Sequence, residues 1–269
     1  MRNPMRLWAL AGAVLLSSGA PAVDNQLTAQ EKAAGWKLLF DGTTYAGWED
    51  PTKRSPPGDS FSIEDGCLKS TSHPRIEEDL FTQETFADFE LQFDWKISPR
   101  GNSGLKYRIQ DRVFLADQRM PKFEDNVNAA LKNRRTDRPA KGQEYVIGFE
   151  YQLTDNAANS DAQRNGALHQ TAALYDMFAA SKDVTRPVGE FNHSRLVVKG
   201  DRIEHWLNGE KVVDASLKAP EVAQSVAKRW GKDSPVYHLL VDQPRKSCQV
   251  SLQNHSDVAW FKNIRIKRL

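Results

Sequence analysis

The stretch QEYVIGFEYQLTD (residues 143–155) decides how the rest of the chain is read. In a β-strand, successive side chains point to opposite faces. Phe149, Tyr151 and Leu153 then share one face, and Glu144, Gly148, Glu150 and Gln152 the other. Such a strand suits a half-buried antiparallel sheet whose polar face can carry chemistry. Glu150 and Gln152 lie about 7 Å apart there at the usual rise per residue. The reading is the floor of a ligand-binding sheet, weighed against a merely solvated sheet face.

Outward from this strand the period of two persists. Phe89, Leu91, Phe93, Trp95 and Ile97 alternate with Glu90, Gln92, Asp94 and Lys96, which predicts one core face and one wet face. After the turn PRGNSG (99–104), Leu105, Tyr107 and Ile109 resume the core face, with Lys106 and Arg108 opposite. On a strand over 248–255, Val250 and Leu252 oppose Ser251, Gln253 and His255. Further strands are expected at 36–40, in two pieces over 61–70, at 190–199, 202–207, 211–214 and 259–267, and within 166–178. Asp65-Gly66 and Asn208-Gly209 accept the positive φ of tight hairpins.

Residues 53–59, rich in Pro and Gly, read as a loop. Helical composition is confined to 123–134 and to 220–230, the latter expected outside the sheet. Residues 111–142 read as a long polar excursion rather than sheet, a length usually functional or partly disordered. The pattern predicts an all-β sandwich of two antiparallel sheets with a few peripheral helices. It occupies 35–269 after a linker at 23–34, with no repeat or composition break that demands a second domain.

Composition narrows the function. With 37 basic and 35 acidic residues in 269, the chain offers no field to draw nucleic acid or an anionic membrane. Residues 1–22 have the order of a signal peptide: Arg2 and Arg6, an apolar run over 7–16, then Ala20-Pro21-Ala22. That run is too short for a membrane anchor, so the expected location is periplasmic or secreted. In that oxidising setting Cys67 and Cys248 have the option of one disulfide.

Several strands place hydrogen-bonding side chains on what can be one shared face: Lys106 and Arg108, Glu150 and Gln152, Gln253 and His255. Amides and charged groups of this kind satisfy sugar hydroxyls, which both donate and accept. Trp48, Tyr175, Phe178 and Trp206 are candidates for apolar ring faces, although core packing is the commoner use of an aromatic. No nucleophile elbow, zinc-protease motif, phosphate loop or dinucleotide fingerprint occurs. A divalent metal has no supporting motif, and no cofactor is indicated. A conventional glycosidase requires two carboxyls within ~9.5 Å. Glu144 and Glu150 are too far apart along one strand, near ~20 Å, to be that pair.

The pieces GWKLLFDGTTYAGW, FELQFDWKISPRGNSGLKYR, EYQLTD, ALYD, GEFNHSRLVVKGDRIEHWLNG and SLQNHSDVAWFKNIRIKRL occur in that order from Gly35 to Leu269. In order and spacing they resemble the 3-keto-disaccharide hydrolase domain family. The chain departs from it modestly, with Gln253-Asn254-His255 where Gln-Asp-His is commoner and Phe191 where tryptophan often stands. The resemblance implies a concanavalin-like jelly-roll sandwich with a concave sugar-binding face. It also implies cleavage of glycosides already oxidised at C3 by a separate oxidoreductase. Such a reaction needs one base, one acid and donors to an enolate oxygen rather than paired carboxylates. Glu150 and His255 are the candidate acid and base. Asn102, Arg108, Gln152, Tyr175 and Gln253 are the candidates for orienting the sugar. A non-catalytic carbohydrate-binding module and a conventional glycoside hydrolase are the alternatives on the same sandwich.

Overall fold

Alternation along 89–97 becomes a strand in which every second side chain is buried. It belongs to a computed structural model that describes residues 23–50, 59–73, 78–116, 122–133 and 142–269. The strands are β1 (Lys37–Leu38), β2 (Trp48–Glu49), β3 (Phe61–Glu64), β4 (Cys67–Ser70), β5 (Leu80–Thr82), β6 (Phe89–Ile97) and β7 (Asn102–Ala116). They continue as β8 (Gly142–Thr154), β9 (Asn192–Lys199), β10 (Arg202–Leu207), β11 (Glu210–Ser216), β12 (Ser251–Leu252) and β13 (Ala259–Arg268). The short helices are α1 (Ala29–Ala33), α2 (Phe123–Lys132), α3 (Ser160–Asn165), α4 (Pro220–Trp230) and α5 (Pro235–Tyr237).

Two antiparallel sheets form a jelly-roll sandwich. The larger runs β11-β10-β9-β6-β13-β4-β3, with β1 also on β13, and the smaller runs β2-β5-β12-β7-β8. Phe89, Leu91, Phe93, Trp95 and Ile97 face Leu105, Tyr107, Phe149, Tyr151 and Leu153 across the core. The turns at Asp65-Gly66 (φ 50° and 71°) and Asn208-Gly209 (φ 49° and 88°) have both central residues left-handed, as expected of tight hairpins.

Polar side chains between the two sheets form a hydrogen-bonded chain. Tyr107 donates to His205 Nε2 at 3.0 Å, and His205 Nδ1 donates to the Ala172 carbonyl at 2.9 Å. Trp95 donates to Ser194 Oγ, which donates to Tyr151, which donates to the Trp206 carbonyl. Burial pushes the His205 pKa down to about 4 and keeps the ring neutral.

The structure corrects several expectations. Residues 111–116 continue β7, because β7 and β8 pair out to Ala116↔Gly142. Ladder pairing on the late segment is limited to Ser251–Leu252 rather than 248–255. Residues 166–178 are not a strand; a 3₁₀ turn at Gly166–His169 leads to isolated bridges at Leu174. Helix α4 belongs to neither sheet, as expected, and buries Val222, Val226 and Trp230 against the core. Cys67 and Cys248 are free buried thiols, and burial raises the pKa of both. The signal-peptide reading and nearly all of the 53–59 loop fall outside the described residues. Among the described residues no helix is long and apolar enough to cross a membrane.

Phe93 is fully buried and meets Tyr151 edge-to-face at 6.0 Å. Phe93→Ala is expected to cost about 3–5 kcal/mol in urea or thermal unfolding. A loss below about 1 kcal/mol is incompatible with this packing.

Candidate functional site

Register across β7 and β8 builds the floor of a cleft of about 340 Å³. Lys106 stands opposite Glu150, Gly104 opposite Gln152 and Asn102 opposite Thr154. Ser251 of β12 pairs with Lys106 on the other side. The Gln253 N–H donates to the Gly104 carbonyl at 2.8 Å, which extends the floor past the end of β12. His255 follows at the rim, exposed to solvent.

Glu150 is the central group. Its carboxylate lies over Gly104, where a Cβ would come within 2.2 Å of Oε1 and 2.8 Å of Cδ. Only glycine leaves room for it there. The hydrogen-bond network turns the Gln152 amide so that its nitrogen donates to Glu150 Oε1 at 3.0 Å and to the Ser103 carbonyl at 3.1 Å. Asn102 meets the other end of that amide at 3.2 Å. Burial raises the Glu150 pKa to about 7; Lys106 opposes the rise and Asp79 adds to it.

Lys106 is as deeply buried, 3.1 Å from Asp79 Oδ2. Burial by itself lowers the pKa of an ammonium, but Asp79 and Glu150 hold this one above its ordinary value. Asp79 also accepts from Ser251 Oγ at 2.8 Å, and its N–H donates to Glu144 Oε2 at 3.0 Å. Glu144, held by Arg112 at 2.8 Å, is likewise raised to about 7, first by burial and then by Asp79.

β8 is the edge strand of its sheet, and an open edge is a liability. Residues 170–178 cover it. Ala172 N donates to Gln152 O, Gln152 N to Ala173 O, and Tyr175 N to Glu150 O at 3.1 Å. Tyr175 is thereby set beside Glu150, and its hydroxyl donates to Asp161 Oδ2 at 3.0 Å. Asp161 also accepts from His169 Nδ1 at 2.9 Å, and the His169 and Tyr175 rings lie 4.2 Å apart. Helix α4 contributes Arg229 to the opposite wall, 6.0 Å from the centre of the Tyr175 ring.

Six of the seven candidate residues thus line one cleft: Asn102, Glu150, Gln152, Tyr175, Gln253 and His255. Arg108 does not. The ladder shifts register between Tyr107 and Asp111, and Arg108 there has φ 51°. Its buried guanidinium donates to the carbonyls of Gly200 and Lys246 and sits 3.5 Å from Asp88. The same bulge turns Ile109 out of the main core into a small cluster with Phe81 and Val146. Of the proposed ring faces only Tyr175 lines the cleft. Trp48 is core, Phe178 packs against the core, and Trp206 lies under Arg195 at 4.7 Å. Among the described residues no group of three or more His, Cys, Asp and Glu side chains could hold a metal ion.

The profile of the 3-keto-alpha-glucoside-1,2-lyase-like domain matches residues 35–267. The chain belongs to this family. It is 31% identical over 249 residues to the 3-keto-disaccharide hydrolase of Bacteroides thetaiotaomicron, covering 88% of this chain and 79% of that protein. A Parabacteroides distasonis protein designated a glycosyl hydrolase, solved at 1.70 Å, has 26% identity and a TM-score of 0.68. The alignment covers 92% of this chain and all of that one. A second from the same organism, at 22% identity and TM-score 0.57, shows the fold alone, over 87% of this chain and 99% of its own.

Within this cleft, Asp79 and Arg229 were absent from the sequence reading. Asp79 lies just before a three-residue strand whose pairing no period of two reveals, and Arg229 belongs to a helix expected outside the sheet. Lys106 did carry a signal, since it falls on the polar face of an alternating strand.

Two expectations follow from Glu150. Gly104 has ordinary backbone angles, so Gly104→Ala is expected to fold normally but displace the carboxylate. A misplacement of that size costs on the order of 10²-fold in turnover, with melting temperature little changed. Unaltered turnover would mean that the carboxylate position is unimportant. Second, a carboxyl raised from 4.5 to about 7 contributes stability that is complete below pH 4.5 and lost as pH rises through 7. The stability of Glu150→Gln relative to the parent should therefore grow by about 3 kcal/mol between those limits. A flat difference in unfolding free energy across that range would show that Glu150 is not desolvated.

Proposed function

We propose that this protein cleaves 3-keto-glycosides, 3-keto-disaccharides among them, by elimination followed by hydration. The observation that carries this reading is one buried carboxylate of pKa about 7, beside amides and a cation at the floor of the cleft. In the first step the Glu150 carboxylate removes the proton from C2, and the electron pair moves through C3 onto the keto oxygen. The enolate then re-forms the ketone and expels the C1 oxygen substituent, leaving a C1=C2 bond. His255, at the rim, gives its proton to the departing oxygen. Water then adds at C1 and a proton returns to C2, so that the net change is hydrolysis.

Gln152 aligns the base, and Asn102, Gln253 and Tyr175 are placed to bind sugar hydroxyls. Arg108 supports the bulge from outside the cleft and has no part in this chemistry. The substrate must come from a reaction that oxidises the C3 hydroxyl, so a sugar 3-oxidoreductase is the implied upstream partner. Export to the periplasm or medium is part of the proposal and rests on the order of residues 1–22. The sandwich over 35–269 is taken as the catalytic domain, and no cofactor enters the steps above.

A conventional two-carboxylate glycosidase has one observation in its favour, namely that Asp79 joins Glu150 in the cleft. Against it, Asp79 is engaged by Lys106 and Ser251. Incubation with a 3-keto-disaccharide and with its unoxidised parent separates the readings. Cleavage of the keto sugar alone is expected. Cleavage of the parent would favour the paired carboxylates, and binding of either sugar without turnover a lectin-like role. Because the base must be ionised, kcat/KM should rise with pH through about 7. Glu150→Gln should lower kcat by about 10²–10⁴-fold while retaining sugar binding; near-normal turnover in that variant would exclude Glu150 as the base.

A further inference from the structure

We propose that the Lys106 ammonium is the catalytic electrophile that binds the C3 oxygen as it becomes an enolate. The inference rests on the reaction proposed above and adds a residue to it. Lys106 and Glu150 face each other in register across β7 and β8, so cation and base share one floor. A ketone placed between them has its C2 hydrogen toward the carboxylate and its C3 oxygen toward the ammonium.

Several other donors of the floor are already engaged. The Gln152 nitrogen serves Glu150 and the Ser103 carbonyl, and the Asn102 side chain meets Gln152. Arg229, on the wall, is ion-paired to Glu124 at 3.4 Å. Lys106 has three N–H donors, and among the described residues Asp79 alone is within ion-pair distance. Its side chain is only 7% exposed and yet borders the cleft. Burying a cation is unfavourable unless it is paired, and Asp79 supplies that pairing from one side. Ser251 Oγ, bound to the same Asp79 oxygen, fixes the carboxylate that fixes the ammonium. Beside them Gln253 Oε1 is buried without a hydrogen-bond partner.

The carboxylates around Lys106 keep it protonated, so it acts as a fixed charge and not as a nucleophile. No covalent bond to the sugar forms. In a buried site a preorganised cation aimed at developing charge stabilises the transition state far more than it does in water.

Proton exchange at C2 in heavy water tests this without a leaving group. The probe is a 3-keto-hexose, followed by proton NMR with the full-length protein. The wild-type protein is expected to catalyse exchange, and Glu150→Gln to abolish it. Lys106→Met should slow exchange about 10²–10³-fold with sugar affinity changed far less, and Lys106→Arg should recover part of the loss. The charged groups facing Glu150 are Lys106, Asp79, Arg229 and Asp161. Removing Lys106 from this set should therefore move the rise of the exchange rate to higher pH, and the slowing should persist above that rise, where Glu150 is fully ionised, which a lysine that only tunes Glu150 would not produce. If Lys106→Met fails to fold with Asp79 unpaired, the double variant Asp79→Asn/Lys106→Gln keeps a neutral hydrogen-bonding pair, and the same loss is expected. Wild-type exchange rates in a folded Lys106 variant would overturn the proposal. So would a borohydride-trapped sugar adduct on Lys106, which would make it a nucleophile. Absence of both exchange and glycoside cleavage in the wild-type protein would instead remove the reaction on which the proposal rests.

Discussion

The ladder between β7 and β8 is the interaction on which the rest of the cleft depends. It is antiparallel, so residues directly opposite interact as pairs. Leu105 meets Tyr151 and Tyr107 meets Phe149 on the inward face, while Lys106 meets Glu150 on the outward one. A slip of β8 by one residue along β7 would put Glu150 into the sandwich and Tyr151 into the cleft. The inward face makes that slip costly, because Tyr107 and Tyr151 each deliver a hydroxyl to a fixed partner, His205 and the Trp206 carbonyl. Core hydrogen bonding and the position of the cleft carboxylate are thus set by one register.

Electrostatics of the floor run against the stability of the fold. The chain is nearly neutral overall, but Asp79, Lys106, Glu144, Glu150 and Arg112 are gathered at the outer face of the smaller sheet. Two of these carboxyls have pKa values near 7, and at neutral pH each is more easily ionised in the unfolded chain than in the folded one. Such strain is typical of sites that do chemistry. It is also useful, because a base is most effective when its pKa lies near the working pH.

The alternating strands were legible because a period of two is a local property. β6, β8, β9, β10 and β13 were expected close to where they lie, and following that period led to Glu150, Gln152, Gln253 and His255, all of which line the cleft. Where reading failed, a non-local event had intervened. Arg108 and Ile109 left their expected faces because three residues separate Tyr107 from Asp111, whereas Gly148 alone separates Ile147 from Phe149 on β8. Nothing in the composition of that stretch announces a bulge, although Gly148 marks its neighbour: a Cβ there would come within 3.1 Å of the Tyr107 carbonyl. The segment 166–178, expected to contain a short strand, does bond to β8, but through a single bridge and separate hydrogen bonds rather than a ladder.

The bulge also explains how one long strand serves two tasks. Before it, β7 presents Asn102, Gly104 and Lys106 to the cleft. Beyond it, Arg112 and Phe114 turn outward around Phe81 and Glu144, while Val113 and Leu115 join the core that α2 extends. Without the extra residues the strand would have to keep one twist along its whole length, whereas a bulge bends it and increases the local twist. Arg108 secures the bend by bonding to Gly200 and Lys246, on connections that follow β9 and precede β12. Both sheets are therefore tied at the point where β7 changes direction. The guanidinium that looked from its spacing like a sugar ligand is the anchor that lets Lys106, two residues earlier, stand square to Glu150.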